Sequence, residues 1–193
     1  MSLPRLIPAA LIALMPPAAG AEQVFDAATG LRIAAYRAPV PGSVPGGRVV
    51  DAATVAAMAA DGAVLIDAMA APGHSIAADG TWTIAEPHRT IPGARWLPEI
   101  GRGRPDPRIA GGLRASLEGC APDRPIILFC KTDCWMSWNA VQHVAALGRR
   151  DIGWYPGGVD DWADGGRALQ PVEPLPLGAS LCPVDAAPHA ALD

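Results

Sequence analysis

The sequence predicts an α/β fold, a central and mainly parallel sheet flanked by helices on both faces. Three observations carry that expectation. Ala63-Val64-Leu65-Ile66 and Ile126-Ile127-Leu128-Phe129 are short, unbroken apolar runs, the pattern of strands buried on both faces. Val55, Met58 and Ala59, and later Ala140, Val141, Val144 and Leu147, recur at helical spacing instead. The two patterns alternate along the chain with Gly/Pro punctuation between them, as crossovers between parallel strands require.

In chain order, Met1 to Ala21 reads as a secretory signal: Arg5 near the start, an apolar run from Leu6 to Met15, then small residues ending in Ala19-Gly20-Ala21. That run is far short of the ~20 residues a membrane span needs, and no later stretch reaches that length, so no membrane span is expected. A composition rich in Ala, Gly, Pro and Arg with little Lys suits a high-GC bacterium, which makes the periplasm the expected destination. Residues 22–48 carry many breakers, among them Gly30, Pro39, Pro41 and Gly42, and read as an N-terminal extension packed on the domain.

The domain is read over residues 49–169, one unit with ample length for a core. Asp51 is placed to cap a helix that Asp61-Gly62 ends, and the strand that follows closes on Asp67. From Ala68 to Arg95 the turn signals Pro72-Gly73, Asp79-Gly80 and Glu86-Pro87 suggest an inserted loop. Ile91 to Pro98 is a tight turn entering a short strand, and Ile109 to Leu117 a short helix. Ile126 to Phe129 and Ile152 to Tyr155 are strands on either side of the helix that begins near Cys134 and stops at Gly148. Residues 170–193 form a Pro-rich C-terminal tail, ordered only where something ties it down, and Cys182 is the candidate tie.

The net charge of −4, with no basic stripe, argues against a nucleic-acid partner. Chemistry is expected at sulfur. Cys130 and Cys134 lie in a strand-to-helix turn, where backbone N–H groups and the positive end of a helix stabilise a thiolate. Of three possible pairings among the four cysteines, 130 with 134 and 120 with 182 is favoured, the second as a structural bond. A permanent structural bond between 130 and 134 is the plain alternative to a reactive one. Lys131, Thr132, Asp133, Trp135, Met136 and Ser137 are the residues expected to line the site, with Trp135 the chief candidate. His88, Arg89 and Arg95 are candidates for a polar rim, and Asp67 for holding its neighbouring loop by hydrogen bonds. A soft Cu(I) site on the same cysteines, with Met136 or His143 as a third ligand, is an alternative. Zinc lacks a second ligand pair, so no resident metal is expected.

Several of these segments together resemble a rhodanese-like domain from about Val49 to Leu169. They are Val64-Leu65-Ile66-Asp67, the His88 to Ala94 turn containing Ile91-Pro92-Gly93-Ala94, the Ile127 to Cys130 strand, and Gly157-Gly158-Val159-Asp160-Asp161-Trp162. The resemblance implies that Cys130 is a nucleophile that carries sulfane sulfur as a persulfide, with Gly157, Gly158 and Trp162 as structural support. More narrowly, Cys134 to Ala140, with Ala38-Pro39-Val40-Pro41 and Trp154-Tyr155-Pro156, resembles the exported CXXCW motif proteins associated with PQQ-dependent alcohol catabolism. That implies a quinoprotein dehydrogenase or its cytochrome c as partner, with a small sulfur donor or protein thiol as substrate. No feature of the chain would bind a quinone, so no cofactor is expected on it.

One departure shifts the reading. The loop after Cys130 has neither Gly nor Arg, and Met69 stands where the family carries Arg after the Asp strand. Without a planar guanidinium to grip an oxyanion in two places, simple sulfur transfer gives way to a two-thiol mechanism, as sulfurtransferase or as thiol–disulfide oxidoreductase. A non-catalytic module that binds a partner through its Trp-rich face is the remaining alternative.

Overall fold

The structure, a computed structural model, describes residues 23–182. The signal segment 1–21 and the last stretch of the tail, 183–193, lie outside the described residues. The elements in order are β1 (Arg48–Val49), α1 (Ala52–Ala60), β2 (Val64–Asp67), β3 (Ser75–Ile76), β4 (Trp82–Thr83), β5 (His88–Thr90), β6 (Arg95–Trp96), α2 (Pro107–Glu118), β7 (Ile126–Phe129), α3 (Trp135–Ala146), β8 (Ile152–Tyr155), α4 (Gly158–Asp164) and β9 (Gln170–Val172). Five strands form one sheet in the order β1-β8-β7-β2-β6, and every pair in it is parallel. The expected α/β architecture is what is seen. β7, which leads into the cysteine loop, is its central strand.

Period-two alternation along the strands sends side chains to two separate cores. Val64, Ile66, Ile126, Leu128, Ile152 and Trp154 face α2 and α3, meeting Ile109, Leu113 and Leu117 of one helix and Ala140, Val141 and Val144 of the other. Leu65, Ile127, Phe129 and Tyr155 face α1 and α4, meeting Val55, Ala59, Val159 and Trp162. All four residues of β7 are buried, each such side chain contributing roughly 1.5–3 kcal/mol. α1 starts as its cap predicts, with the Asp51 carboxylate accepting from Thr54 N at 2.8 Å. α2 starts the same way, with Asp106 as cap and Pro107 in the first turn. Among the described residues no helix is long and apolar enough to cross a membrane.

Two regions hold more structure than their sequence announces. Residues 68–95 contain the β3–β4 hairpin, its Trp82 indole donating to Leu175 O at 3.0 Å, and β5, which pairs antiparallel with β9. These strands are two or three residues long, too short for period-two alternation to show. The tail, through β9, is thereby tied to the domain well before Cys182. The extension lies against the start of α3: Asn139 accepts from Arg32 N at 3.0 Å and donates to the carbonyls of Arg32 and Gly101, both at 2.8 Å.

Candidate functional site

β7 delivers Cys130 at the end of the central strand, and the chain then makes a four-residue loop into α3. The loop is held from beneath by the β8–α4 turn. Cys130 O accepts from Val159 N at 3.0 Å, Lys131 bridges to Gly158, Thr132 N donates to Asp160 Oδ2 at 3.2 Å, and Thr132 Oγ1 donates to Gly157 O at 3.0 Å. This contact is why position 158 is glycine. Its φ is +56°, and a Cβ there would stand 2.4 Å from Cys130 O. Asp133, at φ 55°, supplies the left-handed step that turns the loop into the helix, a conformation Asp tolerates better than most residues. From above, Ala38 N donates to Asp133 O and Trp135 N to Tyr36 O, while Arg37 bridges to Cys134.

Cys130 and Cys134 are joined by a disulfide with their Cα atoms 6.2 Å apart. Cys130 is wholly buried at 0% exposure, whereas Cys134 is 5% exposed. The Cys130 sulfur lies 3.7 Å from the Met69 sulfur, a packing contact, since a disulfide sulfur has no proton to donate. Met136 completes this small sulfur-rich core, and Tyr36 and Ala70 pack against it. Met69 is held there by Asp67. That fully buried carboxylate accepts from Met69 N at 2.8 Å and from Thr90 Oγ1 at 2.6 Å, and its Oδ2 lies 2.7 Å from His88 Nε2. Three partners satisfy an anion that burial would otherwise make costly.

In front of the disulfide opens a cleft of about 410 Å³. Of the sequence candidates, Cys134, Lys131, Met136 and His88 line it. Lys131, the chain's single lysine, thus lines the same cleft as Cys134, the one cysteine of the pair that does so. Met69, at the family's Arg position, lines it as well, and so do Tyr36, Arg37 and Arg102, which were not foreseen because they come from the extension and from a loop without periodicity. Arg102 lies over the Tyr36 ring at 4.8 Å and is paired with Glu99 at 2.5 Å.

Several expectations are corrected by this geometry. Trp135 does not line the cleft: at the first turn of α3 it points into the extension, edge-on to Phe25 at 5.3 Å and to Trp138 at 5.0 Å, with the Arg32 guanidinium 4.6 Å from its ring centre. Its Nε1 is buried without a hydrogen-bond partner among the described residues. Ser137 points inward, donating to Cys134 O and accepting from Trp154 Nε1 at 3.0 Å. Thr132 is exposed over the β8–α4 turn, and Asp133 too lies outside the cleft lining. Arg89 reaches Leu169 O and Arg95 is exposed away from the cleft, so neither forms a rim. His143 Nε2 lies 2.9 Å from Arg102 O, off the site. Among the described residues no group of three or more His, Cys, Asp or Glu is arranged to hold a metal ion.

The turn under the loop has its own anchor. Tyr155 Oη donates to Asp161 Oδ2 at 2.5 Å, and burial, followed by that carboxylate, holds the Tyr155 phenol well above its ordinary range. The Trp162 indole donates to Ala168 O at 3.1 Å and fixes the end of α4. Cys120 and Cys182 form a second disulfide, with Cα atoms 5.0 Å apart, outside the cleft lining.

A five-stranded parallel sheet covered on both faces, with a cysteine pair where its central strand turns into a helix, defines a thiol-bearing α/β domain. The family model described as Rhodanese-like domain matches residues 51–164, and the chain belongs to that family. Among solved structures it is similar to SseA from Escherichia coli, described as a 3-mercaptopyruvate sulfotransferase of "rhodanese" fold. The identity is 22% over 59% of this chain and 42% of that one, with a TM-score of 0.38. The chain thus spans less than half the length of that structure. No curated protein matches the chain.

Proposed function

We propose that this protein is an exported thiol–disulfide exchange protein that works through the Cys130–Cys134 pair. The observation that carries the reading is the disulfide itself, closed over a four-residue separation behind an open cleft. A persulfide carrier would need Cys130 as an accessible thiolate with an oxyanion grip around it. Here that sulfur is bonded and wholly buried, and Met69 lies against it in the family's Arg position. Chain entropy gives such a short loop little stabilising role, which favours a working bond over a structural one. The signal-like N-terminus supports a periplasmic site of action. The resemblance of Cys134 to Ala140 to the CXXCW proteins supports a quinoprotein dehydrogenase or its cytochrome c as the partner whose thiols it serves.

Equilibration in graded dithiothreitol and glutathione buffers, followed by mass spectrometry, tests this. The pair is expected to open and close reversibly at a potential between about −300 and −120 mV, the span above structural disulfides. A potential far below that, with no exchange, would reduce the bond to scaffolding, whereas gain of one sulfur on Cys130 after polysulfide would restore the persulfide reading. One observation favours a second use: once reduced, the two cysteines share a core with Met69 and Met136, a soft donor set suited to Cu(I). Protection of the reduced pair by Cu(I) against a chelator, in the same buffers, distinguishes it.

A further inference from the structure

We propose that Cys134, and not the strand-end Cys130, is the sulfur at which exchange partners attack and leave. The inference rests on the exchange reading of the pair and assigns its direction. Cys134 lines the cleft and Cys130 does not. Displacement at a disulfide needs the incoming sulfur in line with the bond, on the far side of the sulfur attacked. Of the two residues, Cys134 is the one with surface on the cleft, at 5% exposure, from which a partner can come. At Cys130 the approach is closed by the packing of a residue with no exposed surface, with Met69 against its sulfur.

The reduced state points the same way. Cys134 is the N-cap of α3, a helix of 12 residues, and its side chain caps no amide while it is bonded. Released as a thiolate, it sits where a capping side chain accepts hydrogen bonds from first-turn amides, at the positive end of the helix, with Lys131 and Arg37 on the same cleft and Glu86 the opposing charge. Cys130 has no exposed surface and carries the Met69 sulfur 3.7 Å from its own, an enclosed apolar setting that disfavours a lasting charge. One sulfur sits at a helix N-terminus on a cleft with two cations, and the other is enclosed.

The substrate class that balances the reaction is a dithiol. Its first thiol loses a proton and the resulting thiolate attacks Cys134 Sγ. The S–S bond breaks, and its electron pair leaves with Cys130 Sγ, which takes up that proton. The second thiol, having lost its proton to solvent, attacks the substrate's own sulfur in the mixed disulfide and expels Cys134 as thiolate. The substrate gives up two electrons and becomes a disulfide, and the protein pair is reduced. In the reverse direction Cys134 is the attacking nucleophile.

The test uses the full chain, reduced with dithiothreitol and pulsed with iodoacetamide at about pH 7, each cysteine then being read by peptide mapping. Cys134 is expected to label at least about tenfold ahead of Cys130. Equal labelling, or Cys130 first, overturns the proposal while leaving exchange itself standing. A pair that dithiothreitol cannot open in the folded protein overturns both. As a second measurement, Cys130→Ala is expected to react with DTNB at least about tenfold faster than Cys134→Ala, and the opposite order refutes the assignment.

Discussion

At the scale of single residues, the site depends on one position where a side chain cannot exist. The resemblance marks Gly157 and Gly158 as structural support. The physical reason at Gly158 was not legible in the sequence, because the partner is the carbonyl of Cys130, on another strand end. With φ at +56° and a Cβ 2.4 Å from that carbonyl oxygen, Gly158→Ala incurs the left-handed penalty of about 1–2 kcal/mol together with a backbone clash. The expected loss is about 2–4 kcal/mol in urea unfolding, with a faster opening of the cysteine pair as the loop loses its support. A loss under about 0.5 kcal/mol would mean that the turn beneath the loop moves freely and does not position it. Asp67 carries the same lesson. Its place at a strand end was visible, but His88 and Thr90, its partners from β5, lie across a segment whose folding had no periodic signature.

At the scale of elements, legibility tracked length. α1, α2, α3, β2, β7 and β8 are long enough to display their period, and the sequence locates each of them. The hairpin β3–β4, β5 and β9 are not, and a Pro-rich strand such as Gln170–Val172 reads as tail even though it pairs at an edge, where Pro is allowed. The extension is the element with the greatest bearing on the site, since Tyr36 and Arg37 bring it to Cys134. Its outer end is fastened by Asp26, which accepts from Ala28 N and Thr29 N, each at 3.0 Å, and pairs with Arg104 at 2.7 Å. The Arg104 guanidinium first, and then these amides, hold the Asp26 carboxyl down at about 2. A folded value below the unfolded one, about 3.9, means stability that is present above about pH 4 and is lost as pH falls toward 2. Asp26→Asn should therefore melt below the parent protein at about pH 6, and the gap should close as the pH is lowered through that window. A gap that stays constant down to pH 2 would show that the Asp26 charge does not hold the extension.

At the scale of the whole molecule, the two disulfides divide the work. From β9 to Cys182 the tail wraps the α2 side of the sheet, with Leu175 N donating to Trp96 O at 2.8 Å, Leu177 N to Gly80 O at 3.0 Å and Leu181 N to Ser116 O at 2.9 Å. It packs so closely that a Cβ on Gly112 would meet Leu177 at 2.9 Å and one on Gly119 would meet Ser180 at 2.9 Å. Cys120–Cys182 locks this wrap across a sequence separation of 62, against a separation of 4 for Cys130–Cys134. Loop-closure entropy makes the long cross-link worth roughly 4 kcal/mol and the short one about 2 at most. Replacing Cys120 and Cys182 together by Ala should lower the melting temperature by about 10 °C or more, at 2–4 °C per kcal/mol for a chain of this size. Replacing Cys130 and Cys134 together should lower it by less than half as much. Calorimetry of the two double variants checks the order. The Cys120/Cys182 variant should still exchange its remaining pair with dithiothreitol at the parent rate, because among the described residues none of that bond or of the tail lines the cleft. If the short bond proved the more stabilising of the two, it would be the scaffold and the long one the reagent, and the division between a locked shell and a working pair would be inverted.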